Sequence, residues 1–253
     1  MSLPVFVADH LLADVGSLAG ISESEARHAI QAQRITVGER IELIDGTGTR
    51  AVVEVDAISG KNQLVGIIES ITHEPPVSPQ VTVVQALPKS ERSELAIDLL
   101  TQAGANVIVP WQASRCIAKW PTSAKQQKGV AKWEAAALAA AKQSRRAYIP
   151  QITGLKATSE VEKLIAAADL ALVLDEQAEE SVKNLPLADS ENIVLIIGPE
   201  GGIAKEELAA FQAAGAKAIV LGPEVLRTAS AGMVALAAIG MRTARWGENG
   251  TNR

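Results

Sequence analysis

Cysteine occurs once among the 253 residues, at Cys116, and histidine three times, at His10, His28 and His73. A single thiol excludes an intrachain disulfide and a cysteine-cluster zinc site, and the scattered histidines give no metal-ligand spacing. Long apolar runs are missing too, since no stretch reaches the roughly 18–20 uncharged residues that a membrane span needs. The opening MSLPVFVADHLLADVG has no basic start and an early Asp9, so no signal peptide is expected. Aromatic residues are scarce at 3%, and the formal net charge of −5 speaks at first against nucleic acid as a partner. What is present is ordinary: 47% hydrophobic and 21% charged residues, the composition of a chain that folds rather than stays disordered. The expectation is a soluble, cytoplasmic protein, bound to neither membrane nor metal, of one large or two modest domains.

The charge is unevenly spread. Residues 1–72 carry five Lys/Arg against ten Asp/Glu, whereas residues 110–146 carry eight cations against Glu134 alone. Those cations are Arg115, Lys119, Lys125, Lys128, Lys132, Lys142, Arg145 and Arg146, and three of the four tryptophans, Trp111, Trp120 and Trp133, fall among them. Cations interleaved with aromatic rings suit RNA, whose unpaired bases stack on such faces. Lys89, Arg92, Arg115, Arg145 and Arg146 are the candidate RNA-binding residues.

Residues 1–72 read as a small β unit. Arg40–Ile44, Arg50–Ala57 and Gln63–Ile71 run apolar or alternate, separated by Asp45-Gly46-Thr47-Gly48 and Ser59-Gly60-Lys61-Asn62, which carry turn chemistry. A short helix over Ser24–Gln33 precedes them, and the pattern suggests a small barrel. Residues 73–79 hold three prolines and read as a linker. From residue 80 to 246 the pattern alternates strand and helix: strands at Val81–Leu87, Val107–Val109, Leu170–Leu174, Asn192–Ile197 and Ala218–Leu221, helices at Ser90–Ala103, Lys125–Ser144, Ala204–Ala214 and Thr228–Trp246. Such alternation predicts an α/β domain with a parallel sheet covered on both faces. Residues 247–253 are polar and expected to be a disordered tail.

Two strand ends carry Gly-Pro-Glu. Ile197 leads into Gly198-Pro199-Glu200-Gly201-Gly202, and Leu221 into Gly222-Pro223-Glu224-Val225-Leu226-Arg227-Thr228. Ligands of open parallel sheets sit at the carboxyl ends of strands, and glycine lets the backbone approach them closely. Paired loops of this kind suit an adenosine-like ligand held by main-chain hydrogen bonds and apolar walls. The pattern is neither a P-loop nor a Gly-x-Gly-x-x-Gly dinucleotide fingerprint.

These segments in this order, with Glu206/Glu207 following the first, resemble the signature of the SPOUT methyltransferases, and more narrowly the RsmE-type family, which methylates N3 of a uridine in 16S ribosomal RNA. The likeness extends through Leu87-Pro88-Lys89, Lys142-Gln143-Ser144-Arg145-Arg146 and, more loosely, His28, Arg34 and Gly38-Glu39, so it covers nearly the whole chain. The sequence departs from the family pattern at Ala229-Ser230-Ala231, where an acidic residue is usual after Thr228, and at Leu3-Pro4-Val5, where an arginine is usual.

The resemblance implies a C-terminal SPOUT-type sheet with a trefoil knot, a PUA-like N-terminal β-barrel that helps hold RNA, and a homodimer. It places S-adenosylmethionine against Ile197, Gly198, Gly201, Gly202, Leu221, Gly222, Leu226 and Thr228. The small residues of the last helix, Ala229, Ala231, Gly232, Ala235, Ala237, Ala238 and Gly240, suit either a dimer interface or an ordinary core. The sulfonium methyl is already a strong electrophile, so no metal is required. Removal of the weakly acidic uridine N3 proton leaves charge on O2 and O4, which a cation stabilises. Arg227 is the leading catalytic candidate for that task, and Glu200 a second, as a general base or as a group that fixes its loop. The alternatives are a knotted methyltransferase of another target, such as a ribose 2′-hydroxyl, and a noncatalytic RNA-binding factor in ribosome assembly. Calorimetry with S-adenosylmethionine separates enzyme from binder.

Overall fold

The computed structural model describes residues 3–11 and 14–246 and resolves two units, Met1–Pro76 with Ala141–Ile149, and Val77–Ala140 with Pro150–Arg253. The tail expected at 247–253 lies outside the described residues.

The first unit is built on a five-stranded sheet of β1 (Val5–Val7), β2 (Leu18–Ser22), β3 (Arg40–Ile44), β4 (Thr49–Ser59) and β5 (Gln63–His73), in the order β1-β3-β4-β5-β2. All pairings are antiparallel except β1 with β3. An antiparallel bridge between His10 and Gly20 joins the two edges, which closes the sheet into the expected barrel. Strands β1 and β2 were not legible in the sequence, because three and five residues beside polar loops carry little periodicity. The expected helix appears as α1 (Glu23–Arg27) running into a π-helical turn, His28–Ala32.

Inside the barrel, Phe6, Ile21, Ile41, Leu43, Val53, Leu64 and Ile68 are fully buried. The β3–β4 turn is held by Asp45, whose carboxylate accepts hydrogen bonds from the Thr47 N–H (2.7 Å), the Thr47 hydroxyl (2.7 Å) and the Thr49 N–H (2.9 Å). β4 bulges against β5 twice, and there Gly66 is required for space: a Cβ would sit 2.3 Å from the Glu54 carbonyl oxygen. Residues 141–149 complete the unit. Ile149 N–H donates to Gly46 O (3.0 Å), Tyr148 Oη donates to Glu74 O (2.7 Å), and Lys142 Nζ lies 2.5 Å from Glu25 Oε1.

In the second unit, six parallel strands run in the order β11-β9-β10-β6-β7-β8. They are β6 (Gln80–Ala86), β7 (Val107–Trp111), β8 (Gln151–Ile152), β9 (Leu170–Leu174), β10 (Asn192–Ile197) and β11 (Lys217–Ile219). Central strands of such a sheet are apolar on both faces, and β10 is buried from Ile193 through Ile197. The helices are α2 (Ser90–Gln102), α3 (Ser123–Gln143, whose last residues belong to the first unit), α4 (Thr158–Ala167), α5 (Lys205–Ala213) and α6 (Thr228–Met241). α4 had not been foreseen. It carries its own start signal, since Glu160 accepts the Ala157 N–H (3.0 Å) and Val161 and Ile165 bury one face. β11 ends two residues earlier than expected, so Val220 and Leu221 enter the loop. α6 stops at Met241, before a 3-10 turn at Ala244–Trp246.

Three sequence expectations change in meaning here. Trp111 and Trp133 are fully buried, their indole N–H groups donating to Thr158 Oγ1 (3.3 Å) and Ser93 Oγ (2.7 Å), so neither stacks on RNA. Their large apolar area fills the core instead. Lys142, counted among the basic run, is paired with Glu25 within the first unit. Of the small residues on α6, Ala229, Ala231, Gly232, Ala235 and Gly240 are buried in their own chain. Among the described residues no helix is long and apolar enough to cross a membrane, and no cluster of three or more His, Cys, Asp or Glu could hold a metal ion.

Candidate active site

The two Gly-Pro-Glu loops leave the carboxyl ends of β10 and β11, in the second unit. They are tied together directly: Thr228, at the start of α6, donates its hydroxyl to the Gly198 carbonyl at 3.0 Å. The first loop is a tight turn in which Gly202 N–H donates to Pro199 O (2.9 Å) and Gly202 takes φ +72°. A Cβ at Gly198 would sit 2.7 Å from Ile203 Cγ1, so the loop closes on itself only with glycine there.

The second loop has the opposite character. Among the described residues the main-chain N–H groups of Leu221, Gly222, Glu224, Val225, Leu226 and Arg227 donate to no protein acceptor. Val225 and Leu226 expose apolar side chains, by 76% and 37%. Open donors and acceptors beside apolar side chains are what an adenosine moiety requires. The residues present therefore fit S-adenosylmethionine, and Ile197, Gly198, Gly201, Gly202, Leu221, Gly222, Leu226 and Thr228 all lie on these two loops or their flanks.

Neighbouring strand ends brace the first loop. Glu200 Oε1 accepts the backbone N–H of Lys89, the residue preceding α2, at 3.1 Å. Arg115, after β7, donates to Gly201 O (3.3 Å) and Ile203 O (3.4 Å). The structure thus gives Arg115, expected to bind RNA, a loop-holding contact. Arg227 is exposed at the start of α6, and among the described residues no carboxylate lies within 4.0 Å of its guanidinium. Lys89 is exposed and Arg92 half-buried on the first turn of α2, while Arg145 and Arg146 belong to the first unit. Arg145 holds φ +58°, and its carbonyl accepts from Arg50 (2.8 Å).

Sequence reasoning assigned no role to Glu207. In α5, 8% exposed, its carboxylate accepts from the Ser114 N–H and hydroxyl (both 2.9 Å), Thr158 Oγ1 (3.0 Å) and Ala204 N–H (3.3 Å). One buried carboxylate so fixes the β7 loop, the start of α4 and the exit of the first glycine loop. A charge-assisted network of this kind is costly to break. The signal in the sequence was its place in the family signature, where Glu206/Glu207 follows the first glycine loop, and that place carries no role by itself. Cys116 is buried nearby, and burial pushes its thiol up from the usual range.

Comparison with known proteins agrees with this geometry. Residues 74–240 match the model of an RNA methyltransferase domain, and residues 21–69 that of an RNA methyltransferase PUA domain. Fold and site thus define an RNA methyltransferase with a PUA-like barrel. A ribosomal RNA small subunit methyltransferase E from Mycobacterium bovis is 46% identical over 241 residues, 93% of this chain and 90% of that protein. One from Bacillus subtilis is 26% identical over 88% of this chain and 90% of its own. A methyltransferase from Legionella pneumophila, solved in complex with bound S-adenosylmethionine, superposes with a TM-score of 0.87 at 25% identity, covering 96% of this chain and 99% of that one. The chain belongs to the ribosomal RNA small subunit methyltransferase E family, within the SPOUT methyltransferases.

Proposed function

We propose that this protein transfers a methyl group from S-adenosylmethionine to N3 of one uridine in 16S ribosomal RNA, acting as a cytoplasmic homodimer. Family membership makes it an S-adenosylmethionine-dependent ribosomal RNA methyltransferase; the acceptor atom, the dimer and the residue roles are our reading. The observation that carries it is the run of main-chain N–H groups from Leu221 to Arg227 that donate to no acceptor among the described residues, in a segment bonded through Thr228 to Gly198. We read this segment as the threaded part of the trefoil knot, a rare departure from unknotted topology. The 1–72 barrel, which residues 141–149 join, is read as the RNA-holding domain, 73–79 as the linker and the rest of 80–246 as the methyltransferase domain.

Bound S-adenosylmethionine supplies an electrophilic sulfonium methyl. The chain's own residues must then hold the uracil and steady the charge that appears on O2 and O4 as N3 loses its proton. We assign that task to Arg227, a reading supported by its exposure beside the second loop and by the lack of an ion pair among the described residues. Glu200 is a positioning residue in this reading: its carboxylate fixes the glycine loop to Lys89. The apolar residues that α6 turns outward, Met233, Val234 and Met241 (37%, 42% and 74% exposed), are the proposed dimer contact. Lys89, Arg92, Arg145 and Arg146 are the proposed RNA contacts.

Nucleoside mass spectrometry of 16S RNA from a strain lacking the protein tests the reading. N3-methyluridine should be absent and should return on complementation. Its retention overturns the assignment, and loss of a ribose methyl instead would move the acceptor to a 2′-hydroxyl.

A further inference from the structure

Beside the end of β6, the second unit carries an open groove of about 610 Å³, bounded by Pro88 and Lys89, residues 117–120, and one side of α3. That volume lies in the range of ligand clefts, about 300–1,000 Å³. Its apolar part is Trp120 with Ile117, which is 69% exposed although large and aliphatic. Its charged part is Lys89, Lys119 and Lys132. The single acid, Glu94, lies 3.7 Å from Lys132, with both side chains about 60% exposed, so it neutralises little.

The aromatic wall is built rather than incidental. Trp120 rests edge-on against buried Trp133, with centroids 5.5 Å apart at 72°. Its indole lies so close to α3 that a Cβ at Gly129 would come within 2.4 Å of it. Its main chain is held on both sides, the N–H donating to Gln112 (3.2 Å) and the carbonyl accepting from Gln126 (3.2 Å). The indole N–H, by contrast, has no protein acceptor among the described residues and is not buried. A rigid ring with an open N–H, an exposed aliphatic neighbour and a rim of lysines matches a nucleobase with its phosphates.

We propose that this groove seats one unpaired nucleotide of the RNA substrate, flanking the methyl acceptor, with its base against Trp120 and Ile117 and its phosphates near Lys89, Lys119 and Lys132. The inference rests on the function proposed above and extends it to a residue-level RNA subsite. It concerns a flanking nucleotide because the groove borders the candidate cofactor loops only through Lys89, whose amide is held by Glu200, and is lined by no residue of 221–228. The acceptor base itself must reach those loops.

The test uses small subunits from cells lacking the modification, with wild-type protein and an Ile117→Asp/Lys119→Glu/Lys132→Glu variant, all three exposed positions. KM for the subunit should rise about tenfold or more, with kcat and the Kd for S-adenosylmethionine within about twofold. Retention of protein-free 16S RNA on filters should weaken in parallel. Trp120→Leu should raise KM and Trp120→Phe largely restore it, since a flat ring is what stacks. An unchanged KM in the triple variant overturns the subsite. A raised KM with unchanged binding to protein-free RNA assigns the groove to a ribosomal protein instead. If wild-type protein binds S-adenosylmethionine but modifies no ribosomal RNA, the function falls first and the inference with it.

Discussion

Arg227 and Asp45 illustrate how differently single residues contribute. Arg227 is exposed and free of an ion pair among the described residues, an arrangement that contributes little to folding but leaves a cation ready for a substrate anion. Arg227→Ala should reduce kcat about 10²–10³-fold while the Kd for S-adenosylmethionine measured by calorimetry stays within about twofold. A normal kcat would remove it from the chemistry. Asp45 is structural. Burial pushes its carboxyl up, but the hydrogen bonds from Thr47 and Thr49 outweigh this and hold it below the ordinary value of 3.8. A carboxyl with a lower pKa folded than unfolded adds stability above the unfolded value and loses it as pH falls through the folded one. Asp45→Asn should therefore lower the melting temperature at neutral pH, and the gap to wild type should shrink below about pH 4. Arg245 is a third kind: buried, with its pKa lowered by desolvation to about 10, it remains charged at neutral pH and is satisfied by Asn106 Oδ1 (2.9 Å) and the carbonyls of Pro79 and Gly104.

At the scale of elements, the close approach of α6 to its neighbours explains its composition. A Cβ on Gly232 would lie 2.4 Å from Leu100 Cδ2 on α2 and 2.5 Å from Ile197 Cδ1 on β10. Helix and strand can meet this closely only across a residue without a side chain. Gly232→Ala should destabilise the protein by about 1–3 kcal/mol in urea unfolding. Because Ile197 ends the strand that carries the first glycine loop, affinity for S-adenosylmethionine should fall as well. A variant as stable as wild type would show that α6 shifts freely. The same packing resolves the two readings open for the small residues: those facing inward serve the core, and α6 meets solvent through Met233, Val234 and Met241.

For the whole molecule, those outward apolar residues on α6 lead to the prediction of a dimer. Light scattering after gel filtration should give about twice the 26.5 kDa chain mass, and Met233→Lys/Met241→Lys should yield a folded monomer with much reduced methylation. A wild-type monomer with full activity would remove the interface.

Much of this architecture was legible from local patterns. The apolar run of β10, the turn chemistry at Asp45–Gly48 and the glycine at each loop write their structure into adjacent residues, because φ restriction and hydrophobic period act over a few positions. The paired Gly-Pro-Glu motifs marked the candidate cofactor loops for the same reason. Long-range contacts were not legible. A basic run with three tryptophans looks alike whether its rings face solvent or core, and only packing sent Trp111 and Trp133 inward while leaving Trp120 at the edge of a groove. Likewise Arg115 and Glu207 became loop-holding groups through partners 86–93 residues distant. Local pattern was enough for most of the elements and for both loops, though not for β1, β2 or α4. Tertiary structure alone decided which charges are spent on holding the loops and which stay available to a substrate, because burial and pairing depend on neighbours far along the chain.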